Sequence, residues 1–143
     1  MLMALEGQLL NNRYRLLSEL GQGGMAVVSL AEDLVLKRKV AIKTIKLEGH
    51  AKKALNRRFR QEAKICAKIS HPNVISIYDF GTLENGELFY TMDYLPYPDL
   101  HQFVREGKLF DEDSLIPIMK QLTEAVGACH EMGVIHRDIK GAN

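Results

Sequence analysis

The chain has 143 residues, of which 46% are hydrophobic and 26% charged, a composition typical of a globular domain and not of a disordered one. Its 19 lysines and arginines nearly balance 18 aspartates and glutamates, so the formal net charge is +1. We therefore expect no nucleic acid and no anionic membrane as the main partner. No run approaches the ~18 apolar residues of a membrane span, and the first residues lack the pattern of a secretory signal. Since the two cysteines form no framework of pairs, we expect a cytoplasmic protein.

The first part of the chain predicts an antiparallel sheet. Five segments are rich in leucine or β-branched residues and lie between turn signals, so we predict strands over about residues 16–20, 26–31, 39–45, 74–78 and 88–92. The last two are joined through Asn85-Gly86, a dipeptide that strongly favours a hairpin. Between the third and fourth predicted strands, residues 51–69 carry a helical pattern.

The rest of the chain predicts helices, a short one over residues 99–105 and a long one over residues 113–132. The long helix has an apolar stripe formed by Leu115, Met119, Leu122, Val126, Cys129 and Met132. Pro117 fits this helix only if the helix begins near Asp113 or Ser114, because proline lacks an amide hydrogen and clashes with the preceding turn. The expected fold is α+β, with five antiparallel strands and one inserted helix followed by further helices.

The run from Gly21 to Ala26 (G-Q-G-G-M-A) fits two nucleotide-binding motifs. One is the dinucleotide-binding fingerprint, which needs a buried parallel strand before it and a helix immediately after it. The flanks exclude this motif, because residues 13–15 are too polar for a buried strand and residues 27–29 have strand character. The other is a phosphate-binding loop between two antiparallel strands that ends in Val28. Glycines suit such a loop because the backbone must approach phosphate closely.

A lysine and a glutamate are candidates for a charged pair. Lys43 ends the run V-A-I-K on the third predicted strand, and Glu62 lies on the apolar stripe of the following predicted helix. A carboxylate on a buried stripe is costly unless a cation meets it, so we favour a pair between Glu62 and Lys43. The alternative is a surface pair between Glu62 and Arg58, one helical turn earlier.

The closing residues 136–143 read H-R-D-I-K-G-A-N and resemble the catalytic loop of serine/threonine protein kinases. The glycine loop, the V-A-I-K strand and a hinge-like segment over residues 92–95 resemble other kinase motifs and occur in the same order. The chain is therefore similar to the N-terminal part of a eukaryotic-like, bacterial-type serine/threonine kinase domain. This resemblance implies an N-lobe and hinge over about residues 12–95 and the start of a C-lobe over residues 96–143.

The resemblance also implies the chemistry, which is transfer of the γ-phosphate of ATP to protein hydroxyls with Mg²⁺ as a second cofactor. Asp138 would accept or orient the hydroxyl proton, and Lys140 would stabilise charge on the transferred group. Asn143 would bind the second Mg²⁺. Lys43, paired with Glu62, would contact the α- and β-phosphates. The other implied nucleotide contacts are Gly21, Gln22, Gly23, Gly24, Met25, Ala26, Val28, Ala41, Met92, Asp93, Tyr94 and Leu95.

Kinases also need the metal-binding aspartate of a D-F-G motif, which we expect this sequence to lack. We therefore expect the 143-residue chain by itself to have little or no kinase activity. We further expect the stripe of the long helix to support self-association or docking with a separate C-terminal kinase fragment, because exposed apolar patches tend to bind. The alternative function is a non-catalytic, truncated kinase-like module that binds nucleotide or a partner protein.

Overall fold

The computed structural model describes residues 7–23, 26–45, 63–108 and 110–142. The strands in these ranges are β1 (Leu9–Leu10), β2 (Tyr14–Gln22), β3 (Ala26–Asp33), β4 (Arg38–Ile45), β5 (Ile77–Thr82) and β6 (Leu88–Met92). The helices are α1 (Leu100–Arg105) and α2 (Glu112–Glu131). Residues 63–66 are also helical, whereas most of the helix predicted over residues 51–69 lies outside the described residues.

The chain divides into two compact units. The first consists of Met1–Lys68 and Ile75–Tyr94, and the second of Ile69–Val74 and Leu95–Asn143. In the described part of the chain, neither α1 nor α2 is both long and apolar enough to span a bilayer.

The first unit is built on an antiparallel sheet with the strand order β1-β2-β3-β4-β6-β5, which confirms the predicted antiparallel arrangement. The Asn85-Gly86 hairpin is also confirmed, with Gly86 at a φ of 83° and the Glu87 amide donating to Asn85 Oδ1 over 3.0 Å. The fourth predicted strand was placed too early, since β5 begins at Ile77 and not at residue 74. Residues 72–74 form a turn instead, closed by a hydrogen bond from the Val74 amide to the His71 carbonyl.

The sheet has a sixth strand, β1, that the sequence pattern did not predict. A tight turn connects β1 to β2, and the Arg13 amide donates to the Leu10 carbonyl over 3.0 Å. The two central residues of this turn, Asn11 and Asn12, have φ values of 47° and 54°. Asparagine tolerates this left-handed conformation better than most residues, so the Asn-Asn pair permits the hairpin. Leu10 is thereby buried in the core.

Strand alternation gives the sheet one face that is packed with large side chains. Val40 and Ile42 of β4 are fully buried on this face together with Ala31 and Phe89. Tyr14 packs edge-on against Phe89, with ring centroids 6.2 Å apart. Because side chains along a strand alternate between faces, Ala41 and Lys43 lie on the opposite face.

A side-chain network joins the beginning of β2 to β5. The Tyr14 hydroxyl donates to Asp79 Oδ2 over 2.9 Å, although four strand-to-strand steps separate β2 from β5 in the sheet. In a flat sheet four steps would span ~19 Å, more than a tyrosine side chain can bridge. The sheet is therefore curled, and this hydrogen bond closes it.

Arg13 and Asp33 extend the network that closes the sheet. Arg13 donates to both carboxylate oxygens of Asp33, over 3.1 and 2.7 Å, and one of its nitrogens lies 3.5 Å from Asp79 Oδ2. Asp33 also accepts hydrogen bonds from the amides of Val35 and Leu36, which order the turn between β3 and β4. The hydrogen bonds from Arg13 lower the pKa of Asp33 to about 2, with the two amides assisting and burial opposing the shift.

In the second unit the two helices begin with capping aspartates. Asp99 accepts a hydrogen bond from the Gln102 amide at the start of α1, and Asp111 accepts one from the Ser114 amide at the start of α2. α2 begins at Glu112, one residue before Asp113, so the expectation that it starts near residue 113 or 114 is confirmed, and it runs on through Pro117. The apolar stripe of α2 is largely exposed. The buried residue of this helix is Ala125, which is not part of the stripe. The expected self-association through this stripe stays a prediction.

We expect Asp33→Asn to lower the free energy of unfolding by about 2 kcal/mol, because the bidentate charged pair with buried Asp33 is lost. Chemical denaturation monitored by circular dichroism measures this change. Glu32→Gln is the matched control, since Glu32 pairs with Arg15 on the surface over 3.6 Å. That change should cost less than about 1 kcal/mol, and equal losses in the two variants would contradict the assigned role of Asp33.

The same pair predicts a pH dependence of stability. The pKa of Asp33 is about 2 in the folded state against an ordinary value of 3.8, so the unfolded state binds the proton more readily. The stabilisation is therefore complete above pH 3.8 and is lost as the pH falls through about 2. The difference in unfolding free energy between the wild type and Asp33→Asn should shrink across this window. A difference that stays constant down to pH 2 would rule out the ionised pair as its cause.

We expect Gly81→Ala to destabilise the first unit. An added Cβ would lie 2.7 Å from Cε1 of Phe89, whose side chain is only 1% exposed and has little room to move. Overpacking of this kind costs about 1–3 kcal/mol. Gly127→Ala is the control, because a Cβ at this helical position meets nothing within 4 Å and should stabilise α2 by about 0.5–1 kcal/mol. Thermal melts of both variants should shift in opposite directions.

Candidate active site

Five side chains implied by the kinase motifs or adjacent to them share one face of the sheet. Lys43 on β4 pairs across strands with Val28 on β3 and with Tyr90 on β6. Ala41, two residues before Lys43, pairs with Met92. Residues opposite each other in an antiparallel sheet project from the same face, so the register places all five together, opposite the packed core face. Among these five side chains, the ammonium group of Lys43 and the phenol of Tyr90 are the polar groups, and Val28, Ala41 and Met92 are apolar.

Lys43 lies over the aromatic ring of Tyr90, with Nζ 6.0 Å from the ring centroid. Burial, with a smaller contribution from Cys66, raises the pKa of the Tyr90 hydroxyl above its ordinary value of 10.0. Sequence reasoning missed Tyr90, although its place in the alternating pattern of β6 could have revealed it. Glu62 and Arg58 lie outside the described residues, so both proposed pairings of Glu62 stay predictions.

The structure describes the residues at the two ends of the glycine loop, whereas Gly24 and Met25 in its middle lie outside the described residues. Gly21 and Gln22 end β2 and are exposed, and the Gly23 amide donates to the Ala26 carbonyl over 2.8 Å. A Cβ at Gly21 would meet nothing within 4 Å, and one at Gly23 would lie 3.8 Å from the Ala26 oxygen. Packing within the described chain therefore does not require either glycine.

The hinge-like segment begins at the end of β6. Met92 is its last strand residue, and Asp93 and Tyr94 complete the first unit. The Asp93 amide donates to the Ser76 carbonyl over 3.1 Å, which continues the pairing of the chain past the end of β6. Leu95 opens the following stretch of the second unit and is exposed.

In the second unit the catalytic-loop motif brings Asp138 and Lys140 together. Lys140 Nζ lies 2.7 Å from Asp138 Oδ2, and the two side chains are 55% and 65% exposed. The Asp138 amide donates to Nδ1 of His136 over 3.3 Å. Arg137 has a φ of 63°, a left-handed conformation that is uncommon for residues other than glycine. The motif therefore forms a tight, exposed loop with a carboxylate beside an ammonium group.

The catalytic loop contacts α1 through Gly141, whose carbonyl accepts a hydrogen bond from the His101 amide over 2.8 Å. The first amides of a helix have no partner inside the helix, and Gly141 supplies one here. A Cβ at position 141 would lie 3.3 Å from the His101 nitrogen, so glycine suits this close approach of two backbones. The hydrogen bond fixes the chain two residues before Asn143, which itself lies outside the described residues.

The expectation that the sequence lacks D-F-G needs a correction, because Asp79, Phe80 and Gly81 spell this tripeptide. It lies on β5, before the catalytic loop in the sequence, and Asp79 accepts hydrogen bonds there from the sheet-closing network. Gly81 packs against Phe89. These contacts explain the three residues by the packing of the sheet, and they are not the metal-binding motif.

The described residues do not complete a magnesium site. Among them, no group of three or more histidine, cysteine, aspartate or glutamate side chains could hold a metal ion. Asn143, the implied ligand, lies outside the described part of the chain. Binding of Mg²⁺ therefore stays a prediction from the motif.

Comparison with known proteins identifies the family. The sequence matches the protein kinase domain over residues 14–143. The serine/threonine-protein kinase PrkC of Bacillus subtilis (strain 168) is 36% identical over 138 residues, which make up 96% of this chain and 21% of PrkC. The serine/threonine-protein kinase PksC of Streptomyces coelicolor is 38% identical over 142 residues, covering 94% of this chain and 26% of PksC. The chain thus spans roughly a fifth to a quarter of the length of these relatives.

Solved structures agree with this assignment. The kinase domain of Mycobacterium tuberculosis PknI is similar to this chain with a TM-score of 0.83 and 26% sequence identity. The similarity covers 100% of this chain and 58% of the PknI chain. It confirms the α+β, kinase-like fold predicted from the sequence. With its motifs, its sheet and its relatives in agreement, the chain belongs to the protein kinase family, among bacterial serine/threonine-protein kinases.

Proposed function

We propose that this chain binds ATP on the sheet face that carries Lys43 and contributes Asp138 and Lys140 to a serine/threonine kinase site that transfers phosphate to hydroxyls of a protein. The observation that carries the proposal is the pairing of Asp138 and Lys140 at 2.7 Å in an exposed loop. A carboxylate beside an ammonium group suits a reaction in which a proton leaves a hydroxyl while negative charge gathers on a phosphoryl group.

In the proposed reaction, Asp138 accepts the proton of the substrate hydroxyl as the hydroxyl oxygen attacks the γ-phosphorus. The bond between this phosphorus and the oxygen that bridges it to the β-phosphate breaks, and ADP leaves with the electron pair. Lys140 donates a hydrogen bond to a γ-phosphate oxygen and offsets its charge. An exposed ion pair stabilises a protein by only about 0–1 kcal/mol, so the two side chains can exchange each other for substrate groups at little cost.

The sheet face offers two kinds of proposed nucleotide contact, apolar side chains and a cation. Val28, Ala41 and Met92 offer apolar side chains to the adenine ring, and Lys43 offers a cation to the phosphates. We propose that the glycine loop from Gly21 to Ala26 supplies backbone amides to the phosphates. We propose in addition that Glu62 pairs with Lys43 and that Asn143 contributes to binding of Mg²⁺, which would neutralise phosphate charge. Because the proposed function uses ATP, we also propose that this chain lies in the cytoplasm.

Nucleotide binding tests the proposal, because it depends on residues that this chain supplies. We expect millimolar Mg-ATP to raise the melting temperature of the wild type, since a ligand that binds the folded state stabilises it. Lys43→Met should weaken ATP binding about tenfold or more, because a charged hydrogen bond to phosphate is lost, while adenosine binding should change less than about threefold. Titration calorimetry or ligand-observed NMR measures both constants.

Lys37→Met is the matched control for this experiment, since Lys37 is an exposed residue of the turn between β3 and β4. It should bind ATP like the wild type. If the wild type shows no binding of ATP, the proposed function is wrong. If ATP binds and Lys43→Met retains wild-type affinity, the role of Lys43 is wrong.

A further inference from the structure

Three hydrogen bonds hold Asp93, the first residue after β6. Its amide donates to the Ser76 carbonyl over 3.1 Å, and its Oδ2 accepts from the Ser76 amide over 2.8 Å. Its Oδ1 accepts from the hydroxyl of Tyr78. The backbone and the side chain of Asp93 are therefore both fixed, to Ser76 just before β5 and to Tyr78 at the beginning of β5. We call Ser76, Tyr78 and Asp93 the hinge clamp.

A β-bulge directs Tyr78 towards Asp93. In the pairing of β5 with β6, Ile77 pairs with Met92 while Asp79 pairs with Thr91, so Tyr78 is the extra residue between two consecutive partners. A bulge of this kind bends the strand and re-aims a side chain that would otherwise follow the alternation. Here it allows Tyr78 and Asp79, which are consecutive, to take part in two separate networks.

The electrostatics of the hinge clamp keep the donor and the acceptor in their required states. The guanidinium carbon of Arg38 lies 3.6 Å from the centroid of the Tyr78 ring. Burial opposes ionisation of Asp93, but hydrogen bonds from Tyr78 and Ser76 outweigh it and lower the pKa of the carboxyl. The bond to Asp93 raises the pKa of the Tyr78 hydroxyl, so that the hydroxyl keeps its proton and remains a donor.

We propose that Tyr78 is a positioning residue for adenine, acting through Asp93 on the hinge backbone over residues 93–95. This inference rests on the proposed function and on the resemblance of residues 92–95 to the kinase hinge, which implies that this backbone forms hydrogen bonds with adenine. Tyr78 touches no part of the nucleotide in this proposal. Its hydroxyl fixes the conformation in which the backbone groups that follow Met92 are presented, so that adenine binding does not have to order them.

Tyr78→Phe tests this role, because it removes the hydroxyl and keeps the ring that stacks on Arg38. We expect the affinity for adenosine and for ATP to fall about three- to tenfold. The charge-assisted hydrogen bond from Tyr78 no longer holds Asp93, so part of its free energy must come from nucleotide binding, which then has to order the hinge backbone. The affinity for inorganic tripolyphosphate, which probes the phosphate side alone, should change less than about twofold. A loss of folded protein would weaken both probes by the same factor, so the difference between the probes separates positioning from stability.

Tyr97→Phe is the matched control, since Tyr97 is 78% exposed and carries the same chemical change. Hydrogen–deuterium exchange supplies a second readout that needs no ligand. The Asp93 amide should exchange faster in Tyr78→Phe than in the wild type or in Tyr97→Phe. If Tyr78→Phe does not fold, Asp93→Asn replaces it, because an amide oxygen can still accept one bond while the charge is removed.

The outcomes separate the inference from the function on which it rests. A wild type that binds neither adenosine nor ATP overturns the proposed function and this inference together. A wild type that binds both, with an unchanged adenosine affinity in Tyr78→Phe, overturns the inference alone. A uniform loss across adenosine and tripolyphosphate also overturns it, since that result indicates a purely structural role.

Discussion

The hydrogen bond between Tyr14 and Asp79 closes the curled sheet, and the arrangement of the first unit depends on this closure. It joins residues 65 positions apart in sequence, on strands that are not neighbours in the sheet. With the sheet curled, one face of β4 is enclosed together with Phe89 and the ring of Tyr14. The other face of β4 is thereby left for Lys43 and its neighbours. Arg13 and Asp33 add charge to the closure and tie it to the turn after β3.

The register of β4 against its neighbours converts a local pattern into a candidate binding face. A shift of one residue in a strand exchanges the two faces, so Lys43 would point into the core and Ile42 would point outward. Burial of an unpaired ammonium group is far more costly than exposure of an isoleucine, and this difference fixes the register. The residue types that keep the sheet folded therefore also decide where the cation lies, and the same register brings Val28, Ala41 and Met92 beside it.

Sequence patterns predicted the antiparallel sheet, the Asn85-Gly86 hairpin and the long helix, because strand alternation, turn chemistry and helical periodicity are local properties. They did not predict β1, although the Asn11-Asn12 pair is a signal for left-handed turns. They also missed Tyr78 and the closure through Asp79. These features arise from a bulge and from contacts between strands distant in sequence, which no periodicity records. The tripeptide Asp79-Phe80-Gly81 shows the same limit of sequence patterns. Its letters match a kinase motif, whereas its contacts belong to the packing of the sheet.

The bulge at Tyr78 connects the closure of the sheet with the hinge. Without it, Tyr78 would pair with Thr91 in regular alternation, and consecutive side chains of β5 would follow the two faces strictly. With it, Asp79 accepts from Tyr14 while the neighbouring Tyr78 donates to Asp93. Strand β5, which carries the acceptor that closes the sheet, thus also carries the hydroxyl that holds Asp93. A substitution that breaks the hydrogen bond between Tyr14 and Asp79 should therefore also change the position of Asp93, because both networks depend on adjacent residues of one short strand.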